Sequence, residues 1–228
     1  MNSDLLAVVL LLSGGLVNTS CPYLCNCDSA PLGLNLYCYE RSFSYIPKLP
    51  TNTYYVYLHN NKIPSIESYT FNNLINFTYV TLGGNEITTI KQFAFMNLPR
   101  LRYLYIEINK ITSIEGYAFK NVQSIYNMQL HDNQLTTIRT NTFEETYIKN
   151  YLDLSGNYIS RIEENAFGNL TTLPLLNLTS NPINCDCGVY PFWSWMHERT
   201  SVYVVARCSD GRSVQSLGSS VLEQCSRE

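Results

Sequence analysis

Tyr151-Leu152-Asp153-Leu154-Ser155-Gly156-Asn157-Tyr158-Ile159 is the stretch from which the whole chain can be read, because its pattern returns around an Asn at a fixed interval. Asn61, Asn85, Asn109, Asn133, Asn157 and Asn181 each follow the previous one by 24 residues. Apolar residues keep constant offsets around each Asn: Val56, Leu58 and Ile63, then Val80, Leu82 and Ile87, then Leu104, Ile106 and Ile111. Further into each unit an Ile and a Phe recur, as Ile66 and Phe71, Ile90 and Phe95, Ile114 and Phe119, Ile138 and Phe143, Ile162 and Phe167. A period of this length means stacked units, since no unit can bury its apolar face alone.

This unit resembles the leucine-rich repeat. The resemblance implies an α/β fold, a horseshoe solenoid with a parallel β-sheet on its concave face and disulfide-capped ends. The short apolar alternation is a strand whose inward residues are buried and whose outward residues face the concave side. Each repeated Asn is structural: its amide satisfies backbone groups in the turns, where an unpartnered buried amide costs roughly 1–3 kcal/mol.

The expected organisation is a signal peptide over 1–20, an amino-terminal Cys-rich cap over 21–52, repeats over 53–180 and a carboxy-terminal Cys-rich cap over 181–228. Residues 5–12 form an apolar run followed by Ser13, Gly14 and Gly15, which suits a signal core and is too short to span a membrane. A secreted or extracellular location follows as an expectation, with a cell-surface ectodomain equally readable, because neither an anchor signal nor a second spanning run is seen. The formal charge of −3 gives no reason to expect nucleic acid as a partner.

Eight Cys bracket the repeats: Cys21, Cys25, Cys27 and Cys38 before them, Cys185, Cys187, Cys208 and Cys225 after them. An even count behind a secretory signal reads as disulfides, and Cys-x-Cys is tighter than the usual spacing of structural zinc. Spacing alone does not choose the pairs. The Cys21-Pro22 cluster leading through Ile46-Pro47 and Leu49-Pro50, and Asn181-Pro182 leading into Cys185-Asp186-Cys187 with Trp195 beyond, resemble the caps of extracellular leucine-rich repeat proteins. That resemblance implies Cys21–Cys27, Cys25–Cys38, Cys185–Cys208 and Cys187–Cys225. Val189, Phe192, Trp195 and Met196 fall at helical spacing, as expected of a helix sealing the solenoid end.

The outward strand positions are rich in tyrosine. Tyr55, Tyr79, Tyr103 and Tyr151 should form one column, broken at Asn127, with strand neighbours about 4.8 Å apart. Tyr57, Arg102, Tyr105, Tyr126, Gln129 and Asp153 complete the candidate ligand-binding set. Tyr has good strand propensity and could merely stabilise the sheet, but propensity does not explain Tyr in several outward columns at once. Tyr with Asn, Thr and a few charges has the chemistry of a paratope. Together with the caps it most resembles variable-lymphocyte-receptor-like proteins, which implies recognition of a protein or carbohydrate ligand, antigen or microbial surface, on the concave face. Adhesion and neuronal guidance ectodomains share the caps and are the alternative.

No catalytic residue, cofactor or metal site is expected. No nucleophile or phosphate-cradling motif is seen, and His59 and His131, three units apart in one column, should lie about 14 Å apart. Sequons at Asn18, Asn76, Asn169 and Asn177 permit glycosylation, with Asn177 directed out of the last concave strand. The repeat has one fault: Thr146 and Lys149 replace two core residues, and a local backbone shift burying Tyr147 and Ile148 is the expected response.

Overall fold

The computed structural model describes residues 20–168, 170–218, 222 and 225. The run 5–12 and the sequons at Asn18 and Asn169 lie outside the described residues.

Nine strands make one sheet in which spatial order equals chain order. A hairpin of β1 (Asn26–Ala30) and β2 (Gly33–Tyr37) opens it. Then come β3 (Thr53–Tyr57), β4 (Tyr79–Thr81), β5 (Tyr103–Tyr105), β6 (Val122–Gln129), β7 (Thr146–Asp153), β8 (Leu175–Asn177) and β9 (Tyr203–Val205), all parallel from β2 onward. The inward residues of successive units, Val56, Val80, Leu104, Met128, Leu152 and Leu176, are fully buried and lie in register. Beyond the sheet each unit returns through turns and two-residue strands such as Ser65–Ile66, Thr89–Ile90 and Ser113–Ile114.

Each strand from β3 to β8 stops four residues before its Asn, which turns the chain out of the sheet. Asn85 Oδ1 accepts the Ile63 N–H of the preceding unit at 3.1 Å, while its Nδ2 donates to the carbonyls of Leu58 and Leu82, each at 2.9 Å. Asn109, Asn133, Asn157 and Asn181 repeat the arrangement, so every amide ties one unit to the next while satisfying groups that water cannot reach. On the opposite side of the core, Phe71, Phe95, Phe119, Phe143 and Phe167 stack in a file with centroids 4.8, 5.6, 5.8 and 5.7 Å apart.

Both ends of this core are closed. At the amino end the hairpin carries the disulfides Cys21–Cys27 and Cys25–Cys38. At the carboxy end α1 (Tyr190–His197), entered through Pro191, lays Phe192 and Trp195 on Phe167 at 5.6 and 5.1 Å. The Trp195 indole N–H donates to the Gly168 carbonyl, and Cys185–Cys208 and Cys187–Cys225 fasten this end. Each closed loop adds roughly 3 kcal/mol by restricting the unfolded chain, and four such bonds mark an oxidising environment.

The fault in the repeat is a register shift. Val122 pairs with Thr146, Ile125 with Ile148, and Asn127 with Tyr151, so the offset runs 24, 23, 24. Ile148 is thereby fully buried in the place the repeat assigns to Lys149, which is exposed. Thr146 stays in the core column, and its hydroxyl donates to the Phe119 carbonyl at 3.3 Å. The expectation for Tyr147 is corrected: it is 43% exposed. Side chains alternate along a strand, so one shift brings in only one of two adjacent residues.

Candidate functional site on the concave sheet

Alternation along each strand sends three columns of side chains out of the concave sheet. The first reads Asn35, Tyr55, Tyr79, Tyr103, Asn127, Tyr151, Leu175 and Tyr203 from β2 to β9. The second reads Tyr37, Tyr57, Thr81, Tyr105, Gln129, Asp153, Asn177 and Val205. His59, Gly83, Glu107, His131, Ser155 and Thr179 follow in the third.

The tyrosines of β2 to β6 form one continuous layer. Tyr37 stacks on Tyr57 at 5.1 Å, Tyr57 meets Tyr79 at 5.2 Å, and Tyr79 touches Tyr55, Tyr103 and Tyr105 at 5.7, 6.3 and 5.5 Å. Tyr54 lies flat on Tyr55 at 4.2 Å, and Tyr126 meets Tyr103 edge-on at 6.1 Å. Because the rings brace one another they offer large faces with few rotamers left to lose. Burial, with the neighbouring Tyr57, Tyr105 and Glu107, pushes the Tyr79 phenol up to about 12. The Tyr55 phenol is likewise pushed up to about 12, first by its hydrogen bond with Tyr54 and then by burial.

Tyr151 stands apart from this layer, across Asn127. Its hydroxyl donates to Asp153 Oδ2 at 2.7 Å and accepts from Asn177 Nδ2 at 3.1 Å. Asp153 Oδ1 accepts from the Ser155 backbone and hydroxyl and from Asn177. Asp153 is therefore occupied by its own neighbours. The same network holds the Asn177 sequon amide, whereas at Asn76 the side-chain Oδ1 accepts from Arg100 at 3.0 Å. Arg102 is exposed at the start of β5, outside the aromatic layer, and Gln129 lies in the second column beside Tyr105.

The structure adds residues that the repeat reading left out. Tyr37 and Tyr39 precede the first repeat strand yet extend the face, with Tyr39 stacked on His59 at 4.9 Å, and Tyr203 extends it at the other end. Counting back 24 from Glu107 reaches Gly83, a gap in the third column that only the period can signal. Among the described residues no group of three or more His, Cys, Asp or Glu could hold a metal ion, and no helix is long and apolar enough to cross a membrane.

A parallel concave sheet, an Asn ladder and a phenylalanine file together define a leucine-rich repeat protein, a class that typically serves as a protein-binding scaffold. The model of the BspA type leucine rich repeat region matches in six copies across residues 51–174 and 136–187, and the chain belongs to that family. No curated protein matches the chain.

Proposed function

We propose that the chain is an extracellular recognition protein of immune type, binding a protein or glycan ligand, an antigen or a microbial surface, on its concave face. The observation that carries this reading is the continuous tyrosine layer across β2 to β6. A solenoid needs its inward residues and its Asn ladder to stand; it does not need this layer, which leaves large amphipathic rings facing solvent. Tyr55, Tyr57, Tyr79, Tyr103, Tyr105 and Tyr126 are the proposed anchors. Arg102 and Gln129 supply polar contacts at the edge, and Tyr151 with Asp153 forms a separate polar end. The resemblance of caps and face to variable-lymphocyte-receptor-like proteins supports the same reading, as do disulfides suited to secretion.

A binding screen against microbial cells, glycan arrays and host cell-surface proteins tests it, with a Tyr79→Ala, Tyr103→Ala, Tyr105→Ala variant alongside. Loss of anchors of this type should weaken binding by roughly thirtyfold or more. Equal binding by a folded variant would refute the concave site, and one saturable host partner in place of microbial binding would move the role to adhesion or guidance.

A further inference from the structure

The third outward column contains a gap. Gly83 is followed by Gly84, whose φ is +65°, and neither supplies a side chain of its own to the space between the β3 and β5 units at this level. Neighbouring side chains lean over the gap from both sides. A Cβ on Gly83 would lie 2.6 Å from Glu107 Oε1, and one on Gly84 would come close to Asn60 Oδ1. Above the glycines is an open cavity of about 420 Å³ whose walls include Tyr57, His59, Tyr79, Thr81, Glu107 and Ile108.

Glu107 is unusual among the acids of this face. Asp153 is saturated by its neighbours, whereas Glu107 has no ion-pair partner among the described residues, and its Oε2 is shielded from solvent without a hydrogen bond. Its charge is felt nearby, where it helps to raise the Tyr79 and Tyr105 phenols behind the larger effect of burial. Ile108 is 60% exposed and holds a left-handed backbone, φ +55°, that a β-branched side chain rarely adopts. An unpaired carboxylate, aromatic faces and a strained exposed aliphatic residue thus meet around one glycine-floored notch.

We propose that this notch binds a single cationic side chain, a lysine or arginine presented by a protein ligand, with its aliphatic stem along Tyr57, Tyr79 and Ile108 and its charged head on the Glu107 carboxylate. The proposal rests on the concave-face reading above and names the ligand chemistry at one point of it. A cation gains both a charge-assisted hydrogen bond and the aromatic faces. An anionic group would be repelled, and an apolar one would leave the carboxylate unpartnered.

Isotope-labelled protein can be titrated with N-acetyl-lysine methylamide, N-acetyl-arginine methylamide, the neutral N-acetyl-glutamine methylamide, and glucosamine, following backbone amides by NMR. The two cationic amino-acid probes should shift Gly83, Gly84 and Glu107, saturating in the millimolar range, with affinity about tenfold lower in Glu107→Gln. Gly83→Ala, whose Cβ displaces the carboxylate, should abolish the response while the other amide signals stay in place. Silence at these amides, an equal response to the glutamine probe, or unchanged affinity in Glu107→Gln overturns the proposal. A response to glucosamine equal to that of lysine overturns its assignment to a protein ligand. If a whole ligand binds through the tyrosines while the notch stays silent, this inference fails alone; if the tyrosine triple variant binds unchanged, the reading of the face fails with it.

Discussion

Ile148 on β7 lies opposite Ile125 on β6, one residue ahead of the register that the 24-residue repeat prescribes. The shift brings an isoleucine into the column and turns Lys149 out to solvent. Ile148→Ala should then cost about 2–5 kcal/mol by urea denaturation, while Lys149→Ala should stay within about 0.5 kcal/mol. A larger loss at Lys149 than at Ile148 would mean that the register is unshifted. Amide protection through residues 144–150 should equal that at the other unit junctions, because the two strands stay paired on both sides of the shift.

Asn109→Ala removes the acceptor of the Ile87 N–H at 3.1 Å and the donor to Leu82, Ile106 and Glu107 carbonyls. Backbone groups in two units lose their partner together. About 3 kcal/mol should be lost in chemical denaturation. Asn97→Ala breaks a side-chain ladder from Asn73 to Asn121 that is far more accessible, and should cost clearly less. Equal costs would show that the buried amides are not special.

Much of this was legible in the sequence, for a reason specific to repeats. Asn61 through Asn181 and Phe71 through Phe167 report the same physical environment repeatedly, so each unit corroborates the others. The columns of Tyr55, Tyr79 and Tyr103 followed from that period alone. What escaped lies where the period stops or carries no side chain. Tyr37 and Tyr39 precede the first repeat, so no offset points to them, and Gly83 offers no side chain whose chemistry could mark it. Tyr147 stays exposed because two adjacent strand residues cannot both face the core, which the repeat period by itself does not express.

Ile108 occupies a position where other units place Asn60, Gly84, Asp132, Gly156 and Ser180, all with positive φ. Of these, isoleucine is the residue least suited to that backbone. Ile108→Asn should raise stability by about 1 kcal/mol and lift the thermal midpoint by a few degrees. A lower midpoint would mean that the exposed side chain contributes packing that outweighs its strain.

The tyrosine layer should make the protein sensitive to alkali. Free phenols titrate near 10, whereas burial holds Tyr79 and the hydrogen bond with Tyr54, with burial behind it, holds Tyr55 at about 12, so folding favours the protonated forms. That contribution is fully present below pH 10 and is lost as pH rises from 10 through 12. Denaturation midpoints measured from pH 8 to 12 should fall across that window, less steeply in Tyr79→Phe. An identical slope in the variant would remove Tyr79 from the cause.

The phenylalanine file and the sheet are two rails of unequal gauge. Strands sit about 4.8 Å apart, while the rings from Phe95 to Phe167 advance 5.6–5.8 Å per unit. From Phe95 onward each repeat is therefore a wedge, thicker at its aromatic end, whereas Phe71 and Phe95, 4.8 Å apart, keep pace with the strands, and the sum of wedges sets how tightly the tyrosine surface curls. Thinning one wedge, as Phe119→Leu would, should open that curvature without touching a single outward residue, so the shape of the tyrosine face is set by side chains that lie nowhere on it.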